Sequence, residues 1–348
     1  MESIYVLEPG AYLRREGRSL KVVKGGKVIQ EIPAEGLKKL MLVGYVSLSG
    51  GVLDFLIQNR VETVFITPSG RFRARLALDE HRHVALRKAQ YVRLSEPGFA
   101  LNTARIIVQG KIGNMARFLL LRARQYNNEA LRIGAVKLKS LAGAVRGIQN
   151  LDMLRGLEGN ATRIYFELFH YLIRNSLFEF HGRNRRPPLD PVNAMLSFVY
   201  TLLTNEVLSA IKTCGLDPYL GCLHEVSYGR PSLACDLVEE YRCFLGDRIV
   251  LGLINRKAVT PDDFVFRKNS PDNYVTEEEM KAKRPVEMKP SMNRVFVKSY
   301  ERVMNKRIRY GNPPIKTNYR MLILHQSRAF ARYLEDPETP YVPFEWEA

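Results

Sequence analysis

Cysteine is scarce in this 348-residue chain, and no two cysteines form a CxxC pair. With neither that spacing nor a secretory context, we expect reduced thiols rather than a disulfide framework. The four cysteines nevertheless surround His224, so a zinc or redox role stays open as an alternative. They are Cys214, Cys222, Cys235 and Cys243.

Long hydrophobic runs are also missing. The longest apolar-rich stretch, Ala194–Leu203, is about half of the ~20 residues that a membrane span needs. The chain opens on Met1-Glu2-Ser3-Ile4, which does not resemble a signal peptide. The sequence contains no internal repeat. We therefore expect a cytoplasmic protein that does not contact a membrane.

Acidic residues are few where basic ones are dense. The chain carries 53 Lys and Arg against 36 Asp and Glu, a formal net charge of +17. Residues 81–150 hold 13 basic side chains and two acidic ones, and residues 294–332 hold ten and one, whereas 151–293 is close to neutral. Two basic segments around a neutral one favour a polyanion-binding protein with positive rims, although solvated basic faces would give the same count.

The hydrophobic pattern changes near residue 80. Short alternating segments and the Gly25-Gly26 turn predict a β-rich region, whereas later residues follow a helical period. We expect an α+β protein in which a small β-sandwich-like domain precedes a larger all-helical domain. Residues 255–290 suggest a mobile loop with a short helix at Glu277–Lys283. The predicted parts are the β-rich domain 1–80, a linker with the first helix 81–102, the helical catalytic and DNA-binding domain 103–334, and an irregular tail 335–348.

Asp236 and Glu239 are three residues apart on a predicted helix that follows Ser232, so they share one face. Two carboxylates on one face repel, and a bound cation would relieve the repulsion. An acidic helix start that complements the helix dipole is the alternative. His224, one of six histidines, lies just upstream and suggests an oxygen-rich metal site with one imidazole.

Glu158 is a third candidate ligand. It lies near the apolar stripe of a predicted core helix, Leu154–Arg174, where a carboxylate must be paired, protonated or metal-bound. Carboxylates with one imidazole suit Mg²⁺ or Mn²⁺, with a slight preference for Mn²⁺. Such an ion would polarise a scissile phosphate.

Several cations and polar side chains are candidates for phosphate contacts. Lys111, Asn114, Arg117 and Arg124 fall on a broad stripe of one predicted helix. Arg294 and Lys298 begin a second predicted basic helix, Met292–Arg309. His81 and His83 form another possible cluster, which we interpret as part of an interdomain linker.

Three motifs together resemble the CRISPR-associated integrase, the endonuclease family that inserts new spacers into CRISPR arrays. Leu157-Glu158-Gly159-Asn160-Ala161 is similar to its glutamate motif, and Leu216–Gly221 with His224 to its histidine motif. Its acidic motif resembles the stretch Gly229–Arg242.

By this resemblance, Glu158, His224 and Glu239 would be the metal ligands, and Asp236 an additional active-site carboxylate, either a ligand or a support for one. The resemblance implies Mg²⁺ or Mn²⁺, a homodimer formed through the β domain, a small second CRISPR adaptation protein, and double-stranded and branched DNA as substrate. It also implies attack of a 3′-hydroxyl on a phosphodiester. The DNA-contact candidates, including motif residues, are Lys111, Asn114, Arg117, Arg163, Tyr165, Arg230, Arg294 and Lys298.

Two other interpretations remain. One is a non-catalytic basic scaffold that binds nucleic acid and whose acidic cluster is structural. The other is a zinc hydrolase that uses His224 with the cysteines.

Overall fold

The computed structural model describes residues 2–68, 70, 72–76, 83–184, 187–266, 286–311 and 314–346. The chain divides into two units. Unit 1 consists of residues 1–80, 184–201 and 259–298, and unit 2 of residues 81–183, 202–258 and 299–348. The first segment of unit 1 ends at residue 80, and two later segments join it, which a division in sequence order does not anticipate.

Unit 1 contains two four-stranded sheets. One has the strand order β1-β5-β7-β8 and the other β4-β3-β2-β6. The elements are β1 Glu2–Val6, β2 Tyr12–Glu16, β3 Ser19–Lys24, β4 Lys27–Pro33, β5 Leu37–Val43, β6 Ser47–Leu48, helix α1 Gly50–Gln58, β7 Glu62–Ile66 and β8 Phe72–Leu76.

The alternation of apolar side chains explains how the sheets pack. Leu13 and Leu20 from one sheet and Leu40 and Leu42 from the other belong to a single buried cluster, to which α1 adds Leu56. Removing these side chains from water stabilises the unit by roughly 25 cal/mol per Å² of apolar surface. The predicted β-sandwich-like pattern is thus confirmed.

The Gly25-Gly26 turn joins β3 and β4 as an antiparallel pair. Both glycines have positive φ, +55° and +76°, the conformation that a tight hairpin turn requires and that residues with a Cβ rarely adopt.

The segment predicted as a mobile loop differs from the expectation at both ends. Strands β9 Phe264–Phe266 and β10 Val286–Met288 pair as an antiparallel ladder. Three-residue strands are too short to give a clear alternating pattern in a proline-rich segment. The predicted helix Glu277–Lys283 lies outside the described residues.

Unit 2 is mainly helical. Its helices are α2 Val84–Ser95, α3 Pro97–Tyr126, α4 Glu129–Ala144, α5 Leu151–Glu167, α7 Ser232–Leu237, α8 Arg248–Asn255 and α10 Tyr319–Glu335. Two further helices, α6 Pro191–Thr213 and α9 Pro290–Met304, contribute residues to both units. Together with the N-terminal sheets they make the chain an α+β protein, as predicted.

Two predicted helices are too long. The helix expected over Leu154–Arg174 ends at Glu167 and is followed by a 3₁₀ turn. The helix expected to reach Arg309 ends at Met304, and an antiparallel pair follows, β11 Arg307–Tyr310 and β12 Ile315–Asn318. Gly311, at φ +88°, lies in the connection between these strands, in a turn conformation that residues with a Cβ rarely adopt. The larger unit is therefore not all-helical.

One described helix, α6, has the length and composition to cross a membrane. In the structure 72% of that stretch is buried within the protein, as in the core helix of a soluble protein.

Candidate active site

Five polar side chains of unit 2 converge on one small region. They come from α3, α5, the turn before α7, and the segment after α7: Lys111, Glu158, His224, Glu239 and Arg242. Asp236 does not face this cluster directly but contacts His224 Nδ1, at 2.7 Å. The structure thus brings together all four residues that the sequence nominates for catalysis.

Glu158 is presented by helix α5. The helix begins at Asn150, whose side chain accepts a hydrogen bond from the backbone N–H of Met153 and so caps the free first turn. Glu158 Oε1 accepts a hydrogen bond from Thr162 Oγ1 at 2.9 Å and contacts the ammonium of Lys111 on α3. About a quarter of the Glu158 side chain (24%) is exposed, so this is the open side of the cluster.

His224 is fixed by the buried carboxylate of Asp236. Asp236 Oδ1 lies 2.7 Å from His224 Nδ1 and 2.9 Å from the His224 backbone nitrogen, while Oδ2 accepts N–H bonds from Cys222 and Leu223. Because the carboxylate accepts at Nδ1, the imidazole carries its proton there and directs Nε2 away from Asp236 as an acceptor.

Gly221 permits this arrangement. A Cβ at Gly221 would collide with Asp236 Oδ2 and lie 2.8 Å from the backbone nitrogen of Leu233. Real Cβ atoms essentially never approach backbone atoms so closely. The Gly221 N–H donates at 2.8 Å to Ser232 Oγ, which itself donates to Tyr219 O at 2.6 Å, so the turn and the start of α7 are held together.

Glu239 is the most enclosed acid of the cluster, with 2% of its side chain exposed. It lies in the 3₁₀ turn Val238–Glu240 that continues α7, just before a π-helical turn over Arg242–Asp247. Glu239 Oε1 is 2.6 Å from Arg242 and 3.9 Å from His224 Nε2, and Oε2 is 2.7 Å from Lys111 Nζ.

The charges around Glu239 keep it ionised. Burial acts to raise its pKa, but the cations Arg242 and Lys111 outweigh burial and lower the pKa to about 2. A carboxylate that stays ionised at all physiological pH values is a suitable ligand for a divalent cation.

Asp236 and Glu239 therefore face different partners although they are one turn apart. The oxygens of Asp236 accept hydrogen bonds from three backbone N–H groups and one imidazole, whereas those of Glu239 face Lys111 and Arg242. Of the two roles left open for Asp236, this geometry favours support of His224 over direct ligation.

The donor set fits a hard divalent cation. Donors that share an octahedral ion at about 2.1 Å lie about 3 to 4 Å apart, and His224 Nε2 and Glu239 Oε1 are separated by 3.9 Å. Within the described part of the chain, no three His, Cys, Asp or Glu side chains form a complete ligand group as they stand. The ammonium of Lys111 lies between the carboxylates of Glu158 and Glu239.

A second buried acid follows directly in sequence. Glu240 accepts hydrogen bonds from Tyr341 Oη and from the Phe344 backbone N–H at 3.0 Å. Burial raises the pKa of Glu240 to about 7, against the opposing effect of those two donors. Asn114 on α3 completes this contact, because its amide donates to Glu240 O and Phe344 O and its Oδ1 accepts from Trp346 N.

Residues 336–346, within the predicted tail, form no helix or strand, yet they are an integral part of unit 2. Trp346 is 7% exposed and lies nearly parallel to Phe244, with 6.2 Å between ring centroids. Tyr341 is buried as well.

Burial corrects three of the predicted DNA contacts. Lys111, Asn114 and Tyr165 are buried, so they do not form part of a surface that receives phosphate groups. Tyr165 instead donates at 2.8 Å to Asp247 Oδ2, inside the unit. Amphipathic spacing identifies a stripe but does not say which side of the helix faces the interior, and here the polar residues of α3 point inward.

The other candidates lie nearer the surface. Arg117 pairs with Glu345, Arg163 with Glu167, and Arg294 with Glu8 within unit 1. Arg230 is half-buried and Lys298 is exposed. These pairs involve exposed side chains and contribute little to stability, about 0–1 kcal/mol each, so the arginines can exchange partners for phosphate.

Arg242 and Thr162 are two site residues to which the sequence motifs assigned no role. Each lies one helical turn from an acid, Arg242 three residues after Glu239 and Thr162 four residues after Glu158. That spacing is the available signal, because side chains three or four residues apart share a face.

The cysteines do not join the site as ligands. All four are free thiols, and no group of three possible ligands that includes a cysteine occurs among the residues described. Burial raises the pKa of the Cys222 and Cys243 thiols, which opposes the thiolate form that zinc requires. Of the predicted histidine cluster, His83 precedes α2 with φ +67°, and His81 lies outside the described residues.

Comparisons with known proteins agree with the motifs. A family model described as CRISPR associated protein Cas1 matches residues 4–284. The protein named CRISPR-associated endonuclease Cas1 1 of Chlorobaculum tepidum is 35% identical, over 99% of this chain and 98% of its own length.

Solved structures share the fold. A CAS1 protein from Thermotoga maritima matches with a TM-score of 0.79 and 25% identity, over 99% of this chain and all of its own. A casposase bound to integration product matches at 0.82 and 23%, over 100% and 95%. A chain of a Cas6-RT-Cas1–Cas2 complex matches at 0.83 and 22%, over 99% of this chain and 36% of its own. With the motif order and the assembled acidic site, these matches show that the chain belongs to the Cas1 family of CRISPR-associated proteins.

Proposed function

We propose that this protein is a metal-dependent DNA endonuclease and integrase that inserts spacer DNA into a CRISPR array. The observation that carries the proposal is the convergence of Glu158, Glu239 and His224 Nε2 in one cluster, with Glu239 ionised. The relative from Chlorobaculum tepidum is named an endonuclease, and one structural neighbour is a casposase bound to integration product.

In the proposed reaction a DNA 3′-hydroxyl oxygen forms a bond to the phosphorus of a phosphodiester, and the bond from that phosphorus to the leaving 3′ oxygen breaks. One phosphodiester replaces another, so no external energy source is needed. The attacking hydroxyl loses its proton and the leaving oxygen gains one. Hydrolysis follows the same course with water as the attacking group.

Glu158, Glu239 and His224 would hold Mg²⁺ or Mn²⁺, which supplies charge stabilisation at the phosphate oxygens. Asp236 orients the imidazole, and its backbone hydrogen bonds keep the turn of residues 221–224 in place. Arg242 and Lys111 lower the pKa of Glu239, and Lys111 holds the carboxylates of Glu158 and Glu239 close together.

DNA would contact the exposed cations of this chain. Arg124 and Lys137 are exposed on α3 and α4, and Arg163 lies on α5, five residues after Glu158. These contacts predict that the logarithm of the binding constant falls linearly as the logarithm of salt concentration rises. Binding that hardly changes between low and moderate salt would contradict them.

Two partners belong to the proposal. A homodimer through unit 1 is supported by exposed apolar side chains there, including Tyr12, Val28, Ile29 and Tyr45. A small second CRISPR adaptation protein is supported by the neighbour whose title names a Cas1–Cas2 complex. The proposed location is the cytoplasm, where the array DNA lies.

The experiment compares E158Q, H224A and E239Q with the wild type in strand cleavage and integration of branched DNA with Mn²⁺. Each variant is expected to bind DNA but to lose at least about 100-fold in rate, since it removes part of a charged site. E167Q on the same helix is the matched control, because Glu167 is exposed and paired only with Arg163.

Thermal unfolding verifies that each variant is folded. Wild-type rates in all three folded variants would contradict the catalytic proposal and favour the non-catalytic scaffold. Stoichiometric zinc in the purified protein would instead favour the zinc hydrolase.

A further inference from the structure

Lys111 places its positive charge between two carboxylates of the cluster, where a bound cation would also lie. Its side chain is 6% exposed, and its ammonium contacts Glu158 Oε1 and lies 2.7 Å from Glu239 Oε2. A lysine is rarely buried this deeply unless it is paired. Here both of its partners are proposed metal ligands.

The ammonium competes with a divalent cation for two carboxylate oxygens, Glu158 Oε1 and Glu239 Oε2. An ion bound by both carboxylates would lie about 2.0–2.2 Å from an oxygen of each. The Lys111 nitrogen already contacts Glu158 Oε1 and lies 2.7 Å from Glu239 Oε2, so an ion that took these two oxygens would lie against the ammonium, and the like charges would repel. The absence of a complete ligand group among the described residues is consistent with this obstruction.

Removing the lysine charge would leave the acids in unequal positions. Glu239 would keep Arg242 at 2.6 Å and His224 Nε2 at 3.9 Å, whereas Glu158 would keep only the Thr162 hydroxyl among the contacts described above. Lys111 is therefore the group that holds the two carboxylates together when no ion is bound. Its long flexible stem allows the ammonium to move while the helix stays in place.

We propose that Lys111 is a resident counter-ion that occupies the cation position of this site and is displaced when Mg²⁺ or Mn²⁺ binds. This inference rests on the proposed function, because it assumes that the acids are metal ligands. The lysine keeps the two carboxylates together in the metal-free protein, and it competes with the ion. Metal affinity is thus set partly by how readily Lys111 leaves.

The test compares wild type with K111M, which preserves the length and apolar stem of the side chain without its charge. Two quantities are measured: the Kd for Mn²⁺ by isothermal titration, and the Tm in EDTA and in excess Mn²⁺. We expect K111M to have a lower Tm than wild type in EDTA, a Kd about tenfold lower, and a larger rise in Tm with Mn²⁺. K139M, at an exposed position on α4, is the control and should match wild type.

A second measurement needs no variant. Amine acetylation of the wild-type protein, read at Lys111 by mass spectrometry, should increase when Mn²⁺ is added, while labelling of Lys139 stays constant. The opening on the Glu158 side gives the displaced ammonium access to solvent.

The outcomes separate two failures. If wild type binds Mn²⁺ but folded K111M binds it equally or more weakly, or if Lys111 labelling does not change, the counter-ion role is wrong and the metal site stands. If neither protein binds Mn²⁺ or Mg²⁺, the proposed metal-dependent function fails together with the inference.

Discussion

His224 and Asp236 are joined by a 2.7 Å contact between Nδ1 and Oδ1, and the same carboxylate accepts three backbone N–H groups from residues 222–224. The carboxylate therefore sets both the shape of the turn and the tautomer of its histidine. This relationship separates the two acids of the acidic motif. Asp236 holds the turn and the imidazole, whereas Glu239 faces the side chains of Lys111 and Arg242.

Replacement of Asp236 by Asn should weaken the site without removing a direct ligand. The amide keeps one acceptor oxygen and turns N–H donors toward backbone N–H groups, which leaves buried donors unpaired. We expect a loss of about 1–3 kcal/mol in the free energy of unfolding and a 10–100-fold weaker Mn²⁺ affinity. Titration of Mn²⁺ together with thermal unfolding measures both, and D152N is the control because Asp152 is 93% exposed.

Gly221→Ala tests the close approach that Asp236 requires. The added methyl would meet Asp236 Oδ2 and the backbone around Ser232, which cannot move aside without displacing α7. We expect destabilisation of about 1–3 kcal/mol, as for other overpacked interiors. Gly159→Ala, where a Cβ meets nothing within 4 Å, should not lower Tm and should raise it slightly, because alanine in a helix interior is more stable than glycine by roughly 0.5–1 kcal/mol. Equal Tm values for the two variants would refute the steric account.

Arg242→Gln removes the cation closest to Glu239 Oε1. Loss of one partner from a buried carboxylate should lower the free energy of unfolding by about 1–3 kcal/mol. It should also raise the Glu239 pKa, because only Lys111 would then remain as a cation that opposes the effect of burial. Arg163→Gln breaks an exposed pair of similar spacing and should cost at most about 1 kcal/mol. Chemical denaturation of both variants gives the comparison, and equal losses would contradict the role assigned to burial.

The chain has a single tryptophan, so its fluorescence reports on the tail. Asn114→Ala deletes the side chain that joins Glu240 O, Phe344 O and Trp346 N. We expect a red-shifted Trp346 emission and a loss of about 1–3 kcal/mol. Asn160→Ala, on the exposed face of α5, should change neither quantity. An unshifted spectrum for the Asn114 variant would show that the tail docks without this residue.

Glu240 predicts a pH dependence of stability. Its pKa is raised by burial from 4.5 to about 7, so the folded protein binds this proton more tightly than the unfolded chain does. The contribution of Glu240 to the free energy of unfolding therefore falls as pH rises from about 4.5 to about 7 and is constant above that range. Glu240→Gln should remove this part of the slope, which unfolding of both proteins at several pH values would measure. An unchanged slope would contradict the raised pKa.

Much of the fold follows from local pattern. The Gly25-Gly26 hairpin, the strand alternation before residue 80 and the long periods of α3 and α4 depend on neighbours in sequence, so their prediction is confirmed. The sequence pattern did not predict the short strands of the later part of the chain. Strands β9 to β12 are three or four residues long, and their pairing depends on partners that the sequence period does not reveal.

The site divides in the same way. Motif order nominated Glu158, His224, Asp236 and Glu239, and the structure brings all four together. The sequence does not reveal that Lys111 and Asn114 point inward. Their stripe on α3 is basic and polar, as on an exposed helix face, yet it packs against α5 and the segment after α7. A helical period gives the relative angles of side chains but not which angle faces the interior.

The sequence by itself determined the α+β class, the basic character, the candidate acids and the family resemblance, since each rests on composition or on spacing along the chain. Only the tertiary structure decided which acid faces Lys111 and Arg242, which acid holds the histidine, and that a lysine lies between Glu158 and Glu239. Those assignments depend on distances across residues far apart in sequence, such as Lys111, Glu158 and Glu239. Burial then sets their charge states, because a desolvated carboxylate takes its pKa from the cations around it.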